Sequence, residues 1–206
     1  MNSDVLILFT RYPEPGRTKK RLIPALGSEE AAALHRRMAE QTLTIARELK
    51  MIRPVEIELH YEGGDEHLMR QWLGPGLKFV AQSKGNLGRR MATAFQNAFQ
   101  SGASRVVIIG TDCPELTSEI LSSGFDGLAT TELMLGPARD GGYYLIGLRR
   151  PVPALFADIP WGTEAVFQRT IAIAKQIGLT IKQLPVLADI DRPEDLPDAR
   201  LPFEHS

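Results

Sequence analysis

Two uninterrupted apolar runs, Val5-Leu6-Ile7-Leu8-Phe9 and Val106-Val107-Ile108-Ile109, restrict the fold more than any other feature of the chain. Neither alternates with polar residues, so each reads as a strand buried on both faces, as in a parallel sheet covered by helices. Between and around them the period changes repeatedly. Leu34, Met38, Ile45 and Leu49 fall near helical spacing in a helix predicted over 28–50. Met91, Phe95 and Phe99 lie one turn apart in another, predicted over 87–99. Val55-Glu56-Ile57-Glu58-Leu59 alternates as a half-exposed strand should. Residues 65–73 read as a short helix, 77–81 as a third strand and 117–127 as a further helix, while 10–26 reads as a loop. A β-α-β-α-β-α-β-α order of this kind implies a three-layer α/β/α fold with a mostly parallel, Rossmann-like sheet.

The pattern then changes. Residues 132–137 and 143–148 are strand-like and are joined by Ala138-Arg139-Asp140-Gly141-Gly142, a composition that predicts a hairpin or tight reversal. A last helix is expected over 163–177 with Thr163 as its N-cap, and a late strand over 180–184. We expect one domain over 1–196, followed by a proline-bearing polar tail over 197–206.

Composition narrows the function classes. A formal net charge of −1 over 206 residues gives no global attraction for nucleic acid or an anionic membrane. One cysteine excludes an intramolecular disulfide and fits a reducing compartment. The amino terminus lacks the basic and long apolar segments of a signal peptide. No apolar run approaches the roughly 18 residues that span a bilayer. The expected location is the cytoplasm.

Four clusters offer chemistry. The loop after the first strand packs Arg11, Arg17, Lys19, Lys20 and Arg21 around Pro13, Pro15 and Gly16, a set of cations and open amides suited to phosphate oxygens. It has neither the P-loop nor the dinucleotide-fingerprint spacing. Asp112, in Gly110-Thr111-Asp112-Cys113-Pro114, is released at the carboxyl end of a buried strand, where open α/β sheets bind ligands. It can contact a metal or ligand, or form a turn before Pro114; Cys113 reads as a small packed side chain. Asp140, Gly141 and Gly142 place a carboxylate beside a main chain that can approach a ligand closely, or simply form a hairpin turn. Asp189 and Asp191 point to one side if their segment is extended, and oxygen-only ligands of this type suit Mg²⁺ or Mn²⁺. The segment from Asp191 to Asp195 could instead be a capped helix start. His35, His60, His67 and His205 show no ligand spacing and read as surface or packing residues.

In order along the chain these clusters resemble the DUF2064 family of the glycosyltransferase-A superfamily, of nucleotide-diphospho-sugar transferase type. The match runs through the stretch from Phe9 to Leu22, that from Gln82 to Met91, Gly110-Thr111-Asp112-Cys113-Pro114-Glu115-Leu116, the stretch from Gly136 to Gly147, Trp161-Gly162-Thr163 and Asp189-Ile190-Asp191. The resemblance implies a nucleotide-binding half with Asn86, Gly88 and Arg89 among its contacts, and a divalent metal held by Asp112 with Asp189 and Asp191. It also implies an acceptor side around Asp140 and Trp161. Two positions depart from the family pattern: Asn86 replaces a frequent Asp, and Lys19-Lys20-Arg21 replaces Lys-Thr-Arg.

The leading expectation is a metal-dependent glycosyltransferase that moves a sugar from a nucleoside-diphosphate sugar to a small-molecule acceptor. Asp112, Asp140 and Lys20 would carry the chemistry, with Arg17, Lys19 and Arg21 on phosphates. The alternative is nucleotidyl transfer from a nucleoside triphosphate to a small phosphorylated acceptor, which needs charge neutralisation but no general base. A third class, a non-catalytic nucleotide-binding domain, predicts lost carboxylates or an interrupted basic loop, and this chain has neither.

Overall fold

The computed structural model describes residues 3–196; the expected tail over 197–206, with His205, lies outside the described residues. A single seven-stranded sheet runs through the described chain in the order β3-β2-β1-β4-β6-β5-β7. Its strands are β1 (Ser3–Arg11), β2 (Val55–Glu62), β3 (Lys78–Ala81), β4 (Ala103–Ile109), β5 (Leu133–Pro137), β6 (Tyr143–Leu148) and β7 (Ile181–Gln183). Among them β6 alone runs against the rest, antiparallel to both β4 and β5. The helices are α1 (Ile23–Leu26), α2 (Ser28–Ile52), α3 (Glu66–Leu73), α4 (Leu87–Gln100), α5 (Ser118–Gly127) and α6 (Val166–Gln176). Among the described residues no helix is long and apolar enough to cross a membrane.

The apolar runs are explained by the layers. Leu6, Leu8, Val107 and Ile109 face one core with Leu43, Ala46 and Leu49 of α2, Met69 of α3 and Phe125 of α5. Val5, Ile7, Val106 and Ile108 face the other core with Met91 and Phe95 of α4 and Ile171 and Ala174 of α6. The aliphatic residues in the middle of β1 and β4 are therefore packed against helices on both faces of the sheet, and each buried aliphatic side chain contributes about 1.5–3 kcal/mol.

Three expectations are corrected. β2 is not half-exposed: Glu56 faces solvent, but Glu58 and His60 are buried. Burial is tolerable because Glu58 accepts from His60 Nε2 at 2.9 Å and from Lys78 Nζ at 2.6 Å. The 10–26 loop contains α1, which starts with Pro24 in its first turn and ends at Gly27 with φ of 79°. The last helix starts at Val166 rather than at Thr163. Gly162 has φ of 83°, and Phe167 N–H is taken by the Gly141 carbonyl at 2.9 Å, so the segment before Val166 turns instead of coiling.

Parallel pairing of β1 with β4 aligns Leu8 with Ile109, so the segments after both strands leave the sheet at one edge. The antiparallel β6 brings the 138–142 turn to that same edge, since Ile109 lies opposite Leu145. Past β7, Leu187 bridges Ala138, which delivers residues 188–191 to the same place.

Candidate active site at the carboxyl edge of the sheet

Three hydrogen bonds stitch residues 188–190 onto the loop that follows β4. Ile190 N donates to Asp112 O at 2.9 Å, Cys113 Sγ donates to Ala188 O at 2.9 Å, and Ala188 N donates to Glu115 Oε2 at 2.8 Å. Asp189 and Asp191 are thereby fixed beside Asp112. Burial, with the negative charge of Asp189 adding to it, pushes the Cys113 thiol far up, so this cysteine packs and does not ionise.

Lys19 lies at the centre of the charge arrangement. Its loop is folded on itself by Thr18, whose hydroxyl donates to Tyr12 O at 3.2 Å and accepts from Glu14 N at 3.1 Å. The Lys19 side chain, 5% exposed, reaches inward to Asp112 Oδ1 at 3.0 Å, Ile190 O at 2.5 Å and Asp191 Oδ1 at 3.7 Å. Arg21 pairs with the other oxygen of Asp191 at 2.6 Å. Lys19 thus ties three segments together, whereas Lys20 beside it is exposed and has no ion-pair partner among the described residues. Arg17 is also exposed and is held by Glu14 at 3.5 Å.

His35, on α2, is a residue of the site that spacing did not reveal. Its Nε2 lies 3.0 Å from the Arg11 carbonyl, which can only accept, so Nε2 carries a proton. Nδ1 is buried and faces Asp112 Oδ1 at 3.8 Å. Burial opposes ionisation of Asp112, but Lys19 and His35 together overcome it and hold the carboxyl well below the usual carboxylate range. Oδ1 is sealed while the side chain as a whole is 45% exposed, so the open part of Asp112 is its other edge.

Two clefts meet at Asp112 and Asp191. The first, of about 660 Å³, is walled by Thr10, Arg11, Arg17, Lys20, Glu62 and Arg90, among others. The second, of about 370 Å³, takes in Asp140, Tyr143, Trp161, Glu164 and Asp189. In the second cleft the carboxylates of Asp112, Asp140, Glu164, Asp189 and Asp191 outnumber the guanidiniums of Arg21 and Arg192. Burial, and then the neighbouring Asp140, push Asp189 up to about 6. Asp140 Oδ1 accepts from Gly142 N at 2.7 Å, which sets the hairpin turn. Gly141, at φ of 86°, lies so close to the Glu164 backbone that a Cβ there would overlap it. Trp161 stands edge-on to Tyr143 with ring centroids 6.3 Å apart and covers Gly88, where a Cβ would come within 2.7 Å of the indole.

The remaining sequence-predicted residues lie farther out. Asn86 caps α4 by accepting from Arg89 N at 2.9 Å, and both side chains line a separate shallow groove with Pro153 and Asp158. Pro15 and Gly16 are exposed on the basic loop. Asp191 N and Arg192 N donate to Asp195 Oδ2, and a short 3₁₀ turn follows over Pro193–Asp195, so the segment forms a capped turn, with Asp191 lining both clefts.

Asp112 through its open edge, with Asp189 and Asp191, could hold a divalent cation. The donors are all carboxylate oxygens, and their charge is incompletely balanced by the protein, which is the chemistry Mg²⁺ or Mn²⁺ accepts. As placed, the described residues form no ready group of three or more His, Cys, Asp or Glu around one ion position.

Comparisons with known proteins agree with this architecture. The model of DUF2064, described as an uncharacterized protein conserved in bacteria, matches residues 31–163. A crystal structure described as a candidate nucleotide-diphospho-sugar transferase from Desulfovibrio desulfuricans G20 is 35% identical, with TM-score 0.90, covering 100% of this chain and 90% of that one. A phosphoenolpyruvate guanylyltransferase of Chloroflexus aggregans is 25% identical over 182 residues, 86% of this chain and 88% of that protein. A 2-phospho-L-lactate guanylyltransferase of Methanopyrus kandleri is 32% identical over 97 residues, 46% of this chain and 49% of that protein. The chain is a transferase of the nucleotide-diphospho-sugar transferase fold and belongs to the DUF2064 family.

Proposed function

We propose that the protein is a nucleotidyltransferase, guanylyltransferase-like, that couples a nucleoside triphosphate to a small phosphorylated acceptor with a divalent cation. The observation that carries this reading is the free positive charge of the first cleft. Lys20 is unpaired among the described residues, Arg17 is loosely held, and both stand near Arg21 on the wall that faces Asp112. A triphosphate, with its charge concentrated away from the nucleoside, suits such a wall better than the diphosphate of a nucleotide sugar. The two guanylyltransferase relatives support the same choice.

In this reading Arg17, Lys20 and Arg21 bind the β- and γ-phosphates, and the α-phosphorus lies where the clefts meet. An acceptor phosphate oxygen entering from the second cleft attacks it in line. The P–O bond to the β-phosphate breaks, and pyrophosphate leaves towards the basic loop. The nucleophile is already anionic, so no side chain has to remove a proton. Asp112, Asp189 and Asp191 would hold a divalent cation there, which would supply charge neutralisation. Lys19 and His35 keep Asp112 ionised and oriented.

Sugar transfer is the second reading. It is favoured by the 35% identical relative and by Asp189, whose value of about 6 would let it accept a proton from an acceptor hydroxyl. Thermal shifts measured with Mg²⁺ or Mn²⁺ and a panel of nucleoside triphosphates and nucleotide sugars separate the two. Stabilisation by a triphosphate, followed by pyrophosphate release on adding a phosphorylated acceptor, is the expected result. Preferential stabilisation by a nucleotide sugar overturns it.

A further inference from the structure

The first cleft holds a carboxylate that phosphate binding does not use. Glu62, the last residue of β2, receives two charge-assisted hydrogen bonds on the same oxygen: Arg11 and Arg90 each donate to Oε2 at 2.7 Å. Gln82 is likewise committed, since its amide donates to Thr10 O at 3.1 Å and His60 O at 2.9 Å and accepts from Arg90 at 2.9 Å. These bonds fix the Glu62 side chain and leave Oε1 as an acceptor on the cleft wall, with no hydrogen-bond partner among the described residues. Burial works against ionisation of Glu62, but Arg90 and Arg11 outweigh it, so the group stays anionic.

Glu62 also stands at the right remove from the reaction centre. β2 and the β4 end that carries Asp112 are two strands apart, roughly 10 Å at the usual inter-strand spacing. That is comparable with the distance from an α-phosphate to its base. Phe9 and Leu87 line the same cleft and offer apolar surface to a base plane.

We propose that Glu62 reads the base of the bound nucleotide and selects guanine. This inference rests on the nucleotide-binding role of the first cleft proposed above. A carboxylate accepts only, so it favours the base whose Watson–Crick edge carries adjacent donors. Guanine presents N1–H and the N2 amino group side by side. Adenine and cytosine each present one amino group next to a ring nitrogen whose lone pair repels the carboxylate. Uracil presents one N–H between two carbonyls.

Calorimetric titration of the whole protein with GTP, ITP, ATP, CTP and UTP in Mg²⁺ tests the proposal without any substitution, because ITP differs from GTP by the N2 amino group alone. GTP is expected to bind tightest, with ITP roughly ten- to a hundred-fold weaker, the loss of one hydrogen bond to a charged acceptor. Glu62→Gln places a donor where the base also donates, and is expected to bring GTP and ITP within about three-fold of each other. Circular dichroism and melting of the variant verify that it folds, and Glu62→Asp, which keeps the charge, is expected to restore part of the preference. Equal binding of GTP and ITP by the unaltered protein, or a GTP preference that survives in Glu62→Gln, overturns base selection while leaving nucleotidyl transfer standing. Binding of GDP-sugars with the same Glu62-dependent preference, without binding of GTP, supports base selection and overturns nucleotidyl transfer.

Discussion

Replacing Lys19 by Met removes an ammonium that three segments share, and the cost follows from how each contact is buried. Breaking a fully buried ion pair costs about 3–5 kcal/mol, whereas an exposed pair is worth about 1 kcal/mol or less. Lys19 is 5% exposed but Asp112 is 45% exposed, so the pair lies between those limits, at about 2 kcal/mol. The lost hydrogen bond to the Ile190 carbonyl adds about 1 kcal/mol. The total of about 3 kcal/mol corresponds to a melting temperature lowered by roughly 6–12 °C in a chain of this size. Urea unfolding of Lys19→Met, of Asp112→Asn and of the double variant measures it. Much of the penalty is an unpaired charge left on Asp112, so the double variant should be less destabilised than the sum of the two by about 1–2 kcal/mol. A Lys19→Met protein within about 0.5 kcal/mol of the original, or strict additivity of the two changes, would refute the claim that Lys19 balances this carboxylate.

Three further outcomes are expected. Asp112→Asn should abolish the part of the nucleotide-induced thermal shift that depends on Mg²⁺ or Mn²⁺; an unchanged shift removes Asp112 from the cation site. Gly141→Ala should destabilise the protein by about 2 kcal/mol or more, because its φ is 86° and the new Cβ overlaps Glu164; an unshifted urea midpoint would contradict that packing. Glu58 is held below the usual carboxylate range, chiefly by His60 and against the effect of burial, with Lys78 adding to it. A depressed value stabilises the fold above the unfolded-state pKa of about 4.3 and is lost as pH falls through the folded one. The stability gap between the protein and Glu58→Gln should therefore be widest above about pH 5 and close on acidification; a gap that widens towards acid would reverse the sign of the argument.

The sheet was legible because the signal and its cause are both local. Val5 to Phe9 and Val106 to Ile109 show no polar alternation because helices cover both faces, and the Asp-Gly-Gly turn announced the reversal into β6. Asp112 was legible for the same reason, as the first carboxylate after a buried strand. The charge balance around it was not. Its partners come from the β1 loop and α2: Lys19 reads in its loop as a phosphate contact but turns inward to Asp112, and nothing in the spacing of His35 marks it. Glu58 sits in a run whose alternation predicts exposure, and its burial is tolerable because His60 and Lys78, the latter on the neighbouring strand, complete its hydrogen bonding. The start of α6 was misplaced because Thr163 has the chemistry of a cap, while the Gly141 carbonyl, far away in sequence, takes the Phe167 amide.

The reversal of β6 is the step that gives this edge of the sheet two adjoining clefts. If β6 ran parallel to β4, the turn carrying Asp140 would lie at the opposite edge, about 20 Å away at 3.3 Å per residue along a six-residue strand. Running antiparallel, β6 returns Asp140 to the edge where Asp112 emerges and lets Leu187 bridge Ala138. Residues 189–191 then have one place to go, beside Asp112, with Lys19 and Arg21 between the carboxylates and the first strand's loop. The basic loop and the carboxylate cluster therefore stabilise one another. Either alone would leave charge unbalanced at a half-buried edge: Lys19 without acceptors, or Asp112 and Asp191 without their cation.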